Sequence, residues 1–268
     1  MKNLKFSFFE NIINNIDLEI LEHGHLYADE SWKHYNINSS YNRLYFIIDG
    51  EGYIENDNHK VLLQKGKVYL IPLHSTYNYI CMESLEKFYI HFRMEIFNGF
   101  DIFQELSKCA ELPITMEVVD ELITKTSSDK LADIICCKYS FLQIIMSFIL
   151  NLDKNIEAQI PIAQKYKKIF EYMKQNRYIN LNISHLSELM NISTTKLTKD
   201  FKQDTGSTLK RFIDDKIIQQ SKDKLLLTKL SVKEIAYILR FSDEFYFSKF
   251  FKKKVGLSPR EYRTKNRI

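Results

Sequence analysis

The sequence predicts an α+β protein of two domains: an N-terminal β barrel or sandwich with accompanying helices, and an all-α C-terminal part. Three observations carry this. Aromatic and apolar runs recur at about ten-residue spacing through residues 20–95, the rhythm of short antiparallel strands. Beyond about residue 100 the apolar period becomes helical. The charge also divides: Pro161–Ile268 holds 24 Lys/Arg against 11 Asp/Glu, a balance of +13 that leaves −9 for the residues before it. A polyanion is attracted to the second part and repelled by the first. At 268 residues, each part has enough chain for its own core.

The strand signals come first along the chain. LYFIIDGEGYIEND holds two apolar runs around Asp49-Gly50-Glu51-Gly52, a hairpin signal because Gly tolerates positive φ. HKVLLQKGKVYLIP reads as another pair of strands around Lys65-Gly66-Lys67, with Pro72 ending the second. Glu86–Met94 alternates as a further strand. FDIFQELSKC (residues 100–109) and MEVVDELITKT then read as helices. DKLADIICCKYSFLQIIMSFILN reads as a helix of about 20 residues, too apolar to be wet on every side. Lys138 and Gln143 interrupt it, so it is expected to be a core or interface helix and not a membrane span. Residues 153–160, ahead of Pro161, read as the linker. The domains are placed at 1–155 and 161–268.

Other classes find little support. The N-terminus carries Glu10 and Asp17 among its apolar residues, unlike a signal peptide. Cys81, Cys109, Cys136 and Cys137 show no ligand spacing and are expected to be reduced thiols of a cytoplasmic protein. No G-x-S-x-G, P-loop or Rossmann motif occurs, so an enzyme is not expected.

The informative feature is an internal repeat. Leu197-Thr198-Lys199-Asp200-Phe201-Lys202-Gln203-Asp204-Thr205-Gly206 recurs 50 residues later as Phe247-Ser248-Lys249-Phe250-Phe251-Lys252-Lys253-Lys254-Val255-Gly256. Each copy reads as a helix ended by a Gly that takes the left-handed conformation. A shorter helix precedes each, with Asn182 as N-cap in the first and a Ser231/Glu234 capping box in the second. Ser187 and Ala236 are matching small residues that permit a close crossing, and Ser193 and Ser242 are expected to cap the following helices. Helix, tight turn and capped helix, twice over, is helix-turn-helix order. Leu209–Leu227 reads as one helix between the units; about 19 residues at 1.5 Å rise make roughly 28 Å, near the ~34 Å between successive major grooves. The expected DNA-contacting residues are Thr195, Lys196, Thr198, Lys199, Lys202, Glu244, Phe245, Ser248, Lys249 and Lys252, with Lys253 beside them. Short hydroxyls and cations suit base edges, and Lys202 and Lys252 suit phosphates.

SVKEIAYILRFSDEFYFSKFFKKKVGLSPREYR resembles the C-terminal signature of AraC-type transcription regulators, including Gly256, Pro259 and Tyr262-Arg263. NISHLSELMNISTTKLTKDFKQDTGSTLKRFI is similar to that family's first helix-turn-helix, so the likeness covers about residues 165–267. Arg240 departs from it, standing where the family usually has Gly. Either it keeps the left-handed conformation at a cost of about 1 kcal/mol, or the turn is reshaped and Arg240 meets a phosphate.

The resemblance implies a cupin-like N-terminal barrel with dimerisation helices, sensing a small molecule. Asn42-Arg43-Leu44-Tyr45 and His74-Ser75-Thr76-Tyr77 stand where a cupin's metal ligands would, without its His-x-His, so no metal and no cofactor are expected. Trp32, Arg43, Tyr45, His74, Tyr77 and Tyr79, with His34 and His91, are the candidate pocket for a sugar or aromatic effector. The expected partners are double-stranded DNA, that effector, a second copy through the helix at 134–152 and, for an activator, RNA polymerase; no membrane is expected. The main alternative is an effector-independent regulator whose barrel serves only dimerisation or protein contacts. A cupin enzyme with a helical appendage is the third reading.

Overall fold

The computed structural model of the chain describes residues 10, 12–97, 99–152, 158–175 and 181–266. The chain divides into two compact units, one of residues 18–93 and 103–156 and one of residues 1–17, 94–102 and 157–268. Residues 1–9 of the segment read as unlike a signal peptide, and residues 153–157 of the expected linker, lie outside the described residues.

An antiparallel sheet, most of it in the first unit, comprises β1 (Ile16–Asp29), β2 (Lys33–Asn38), β3 (Asn42–Asn56), β4 (His59–Gln64), β5 (Lys67–Ile71), β6 (Thr76–Ile96), β7 (Phe100–Asp101) and β8 (Ala110–Pro113). Its order is β1-β6-β3-β5-β8, with β2 and β7 on β6 and β4 on β3. The turn at Lys65-Gly66 joins two strands as the sequence implies, with Gly66 at φ 78°.

Two local expectations are corrected. Asp49-Gly50-Glu51-Gly52 is not a hairpin. β3 runs straight through it, because β6 pairs along its length from Asn42–Phe92 to Glu55–Asn78. The ladder slips on either side of Gly50, whose φ is 72° and whose Cβ would drive into the Ser84 carbonyl. The positive φ is real but serves a bulge, which bends a strand instead of reversing it. The chain reverses at Asn56–His59, where the Asn56 carboxamide accepts from the Asn58 and His59 N–H groups at 3.1 and 3.0 Å. Nor is 100–109 a helix: Phe100–Asp101 pairs with the end of β6, and the Asp101 carboxylate accepts from Met94 N–H at 3.0 Å. Phe100, Ile102 and Phe103 are buried, so tertiary packing decides a stretch too short for helical propensity to dominate.

The two faces of the central strands bury different partners. Leu44, Phe46 and Phe92 share a face with Phe141, and Phe92 meets Phe103 and Phe141 edge-on at 6.1 and 5.2 Å. Phe141 belongs to α2 (Leu131–Asn151), which follows α1 (Met116–Thr126). α2 buries Phe141, Ile144, Ile145 and Phe148 but leaves Leu131, Ile134, Ile135, Tyr139, Met146 and Leu150 exposed. By length and composition alone it is apolar enough to cross a membrane, yet one stripe of it packs inside the unit.

The C-terminal part of the second unit is helical: α3 (Gln159–Gln175), α4 (Ile183–Leu189), α5 (Thr194–Thr205), α6 (Leu209–Leu227), α7 (Val232–Ile238), α8 (Glu244–Val255) and α9 (Pro259–Asn266). α3 starts before Pro161, which corrects the end of the linker; proline is tolerated in a first turn, where its missing N–H has no acceptor to lose. Rings make its core, Tyr166 on Phe201 at 4.8 Å and Phe201 on Phe212 at 5.4 Å, then Phe247 on Phe251 and Phe251 on Tyr262. The Arg263 guanidinium donates to the Leu225 and Leu230 carbonyls and ties α9 to the end of α6.

Candidate functional site

The repeat in the sequence is a repeat in space. In each unit a short helix ends in a residue of positive φ, Asn191 at 52° and Arg240 at 58°. The next N–H turns back onto the short helix, Ile192 to the Ser187 carbonyl at 3.1 Å and Phe241 to that of Ala236 at 2.9 Å. Arg240 therefore keeps the left-handed turn, and the reshaped alternative falls. Ser187 and Ala236 are buried at the crossing, as a close helix approach requires. Asn182 caps α4 through Ser184 N–H, and Ser231 with Glu234 forms the capping box of α7.

The second helix of each unit follows its cap. The Ser193 hydroxyl accepts from Lys196 N–H. In the second unit the cap is Asp243, whose carboxylate accepts from Tyr246 N–H at 2.7 Å, and not Ser242. The second turn is one residue longer than the first, so the short helices match at an offset of 49 and the long ones at 50. The repeat's own offset, applied to Ser193, finds Asp243. Gly206 and Gly256 close α5 and α8 at φ 70° and 84°, their N–H groups on the Lys202 and Lys252 carbonyls. Both glycines lie in open space, so conformation alone requires them.

Leu197 and Phe201 on α5, and Phe247 and Phe251 on α8, are fully buried and pin one face of each helix. On the rest lie the expected contact residues. Thr195, Lys196, Lys199, Lys202, Phe245, Lys249, Lys252 and Lys253 are exposed, while Thr198, Glu244 and Ser248 are half-buried. Lys196 approaches Asp200 at 3.9 Å. The Thr198 hydroxyl donates to the Thr194 and Thr195 carbonyls, which leaves it an acceptor toward anything outside. Among the described residues Lys199, Lys202, Lys249, Lys252 and Lys253 have no ion-pair partner, whereas Lys254 is held by Asp214 at 2.6 Å. Exposed aromatic rings not singled out from the sequence join the second unit: Tyr237 at 83% and Tyr246 at 59% exposure, beside Phe245 at 78%. Helical spacing was the signal for Tyr246, since burying Phe247 and Phe251 turns 245 and 246 outward.

In the sheet unit, Trp32, Arg43, Tyr45 and Tyr79 come together. Arg43 Nη1 donates to the Tyr79 hydroxyl at 2.6 Å, and the Trp32 and Tyr45 rings lie 5.9 and 6.1 Å from that of Tyr79. Tyr77 is buried in the same core, its hydroxyl accepting from Cys109 N–H at 2.9 Å. His34 meets Trp32 edge-on, and His91 stacks on Tyr41 and donates to Glu22 at 3.0 Å. Burial, with Arg43 and Lys87 nearby, overcomes Glu22 and pushes the His91 pKa down to about 4. His74 does not join them: it is exposed in the turn after β5 at φ 62°. Sequence reading missed Lys87. It is 1% exposed, with its ammonium over the rings of Tyr45 at 3.3 Å, Trp32 at 4.3 Å and Tyr89 at 5.7 Å. Strand alternation through Lys87, Tyr89 and His91 was its signal, because it places all three on one face. Among the described residues, no three His, Cys, Asp or Glu side chains gather as a metal site.

Known proteins resemble the chain in two ways. The helix-turn-helix domain family matches residues 186–265. The Msm operon regulatory protein of Streptococcus mutans is 24% identical over 94% of both chains. An uncharacterized HTH-type transcriptional regulator of Staphylococcus aureus is 22% identical over 81% of this chain, which spans only 31% of that protein. Crystal structures of ToxT from Vibrio cholerae share the fold, with TM-scores of 0.53 and 0.55 at 15% and 13% identity, over 93% and 92% of this chain and 96% and 99% of theirs. A repeated helix-turn-helix with matched turns, a family match across it and a two-domain architecture shared with ToxT lead to one conclusion: the chain is a helix-turn-helix transcription regulator with an AraC-type domain in its C-terminal region.

Proposed function

We propose that this protein is a cytoplasmic, sequence-specific activator controlled by a small-molecule effector, with residues 161–268 binding double-stranded DNA and residues 1–155, cupin-like, serving the effector and a homodimer. The observation that carries the DNA reading is the matched pair of exposed helix faces with lysines at equivalent positions, Lys199 with Lys249 and Lys202 with Lys252, that have no ion-pair partner among the described residues. Thr195, Lys196, Thr198, Lys199, Glu244, Phe245, Ser248 and Lys249 are assigned to the groove, and Lys202 and Lys252 to phosphates. Effector control is supported by the buried ring-and-cation group around Tyr45, and by ToxT structures solved with an unsaturated fatty acid and with (E)-4-(8-methylnaphthalen-1-yl)but-3-enoic acid. As an activator, the DNA-bound form would meet RNA polymerase.

One observation favours the effector-independent reading: Trp32, Tyr45, Tyr77 and Tyr79 belong to a close-packed core. Genome-wide mapping of sites bound by the full chain, then binding to those duplexes with and without metabolites of the neighbouring genes, separates the two. Selective duplex binding that a metabolite alters is the expected result. Binding that no such metabolite alters favours the second reading, and no selectivity over random duplex in dilute salt refutes both.

A further inference from the structure

The inner face of the sheet unit carries a buried lysine with, among the described residues, no acid to match it. Along β3 and β6, the cross-strand pairs Arg43–His91, Tyr45–Tyr89 and Ile47–Lys87 succeed one another on one face. Lys87 and Arg43 are 1% and 2% exposed. The Lys87 ammonium meets three ring faces and, among the described residues, no carboxylate. A ring face attracts a cation but is a poor substitute for an anion. The Trp32 indole N–H, buried under the same ammonium, has no acceptor among the described residues. Ammonium, guanidinium and indole N–H donate only.

The acids nearby are engaged elsewhere. Glu22 accepts from His91, and Glu86, next to Lys87 in the strand and so on the opposite face, is bound to His25 at 2.8 Å. Burial and then Arg43 push the Lys87 pKa well below that of an ordinary lysine. Burial, with Lys87 and Arg43 adding to it, lowers that of His34. Buried positive charge of this kind is tolerable when an anion completes it.

We propose that this box seats a small organic anion, its carboxylate or phosphate group between Lys87 and Arg43 and its body against Trp32 and Tyr45. The proposal rests on the effector reading and narrows it: a neutral sugar or arene brings no countercharge to Lys87.

The test uses the full chain with benzoate and glucose 6-phosphate as anionic probes, and benzyl alcohol and glucose as neutral counterparts, at constant ionic strength. Trp32, the single tryptophan, reports through its emission. The expected result is a saturable response to one anion, weakened about tenfold or more in Lys87→Met. Benzoate or glucose 6-phosphate acting alone tells a carboxylate from a phosphate seat. Equal response by wild type and Lys87→Met, or by Lys87→Gln should the Met variant not fold, overturns the proposal. Neutral probes acting as strongly as the anions overturn the anion and leave the effector reading standing. No probe acting overturns both.

Discussion

Single residues in this protein sit at odds with their surroundings for identifiable reasons. Arg240 occupies a left-handed turn at φ 58°, where a Cβ crowds the backbone. Arg240→Gly should raise stability by about 1 kcal/mol in urea unfolding. Operator affinity that stays the same or tightens shows that Arg240 meets no phosphate; a loss with a shallower salt slope shows that it does. His91 gives a pH signature. Its pKa is about 4 in the fold, against the usual 6.5, because burial and the charges of Arg43 and Lys87 outweigh Glu22. A depressed base contributes stability in full above its unfolded value, and that contribution drains away as pH falls from about 6.5 toward 4. The melting temperature of the wild type should fall through that window, and more steeply than that of His91→Gln. On α5 and α8, Lys199→Ala or Lys249→Ala should cost about 1–3 kcal/mol on the cognate duplex and relax specificity there, measured by fluorescence anisotropy. Lys252→Ala should weaken all sequences alike and flatten the salt dependence.

At the scale of the element, α2 shows how a helix can be apolar on two sides for two purposes. Phe141, Ile144, Ile145 and Phe148 face the sheet, while Leu131, Ile135, Tyr139, Met146 and Leu150 form a second stripe in solvent. Exposed apolar area arranged in helical register suits a second copy of the same helix. Ile135→Glu combined with Leu150→Lys should turn a dimer into a folded monomer in sedimentation velocity; a variant that stays dimeric refutes this interface. The helices were the more legible elements. Caps at Asn182, Ser193 and Ser231 and glycine stops at Gly206 and Gly256 are local chemistry, written within a few residues. The strands were less so. Whether Gly50 bulges or turns depends on its partner Leu85 in β6, more than thirty residues away, and whether 100–109 coils or helices depends on which core receives its rings.

For the whole molecule, the roughly 28 Å length of α6 sets a geometric expectation for the operator, that the two units enter successive major grooves on one side of the duplex. Inserting about 5 base pairs between the two half-sites should abolish high-affinity binding, and inserting a full turn should restore part of it only if the two units are flexibly joined. The acidic balance of the first 160 residues should speed release from DNA in dilute salt, so the isolated C-terminal part, should it fold alone, should bind non-specific duplex more tightly than the full chain.

The duplicated helix-turn-helix, its stops, most of its caps and its basic face were determined by sequence alone, because each rests on neighbours within one or two helical turns. The tertiary structure decided the cap at Asp243, the path of β3 through Gly50 and the company of Lys87. Those depend on what a distant strand or an extra turn residue brings alongside. A lysine beside aromatic residues is unremarkable in a strand until the fold closes rings over it and leaves, among the described residues, no carboxylate to pair with it.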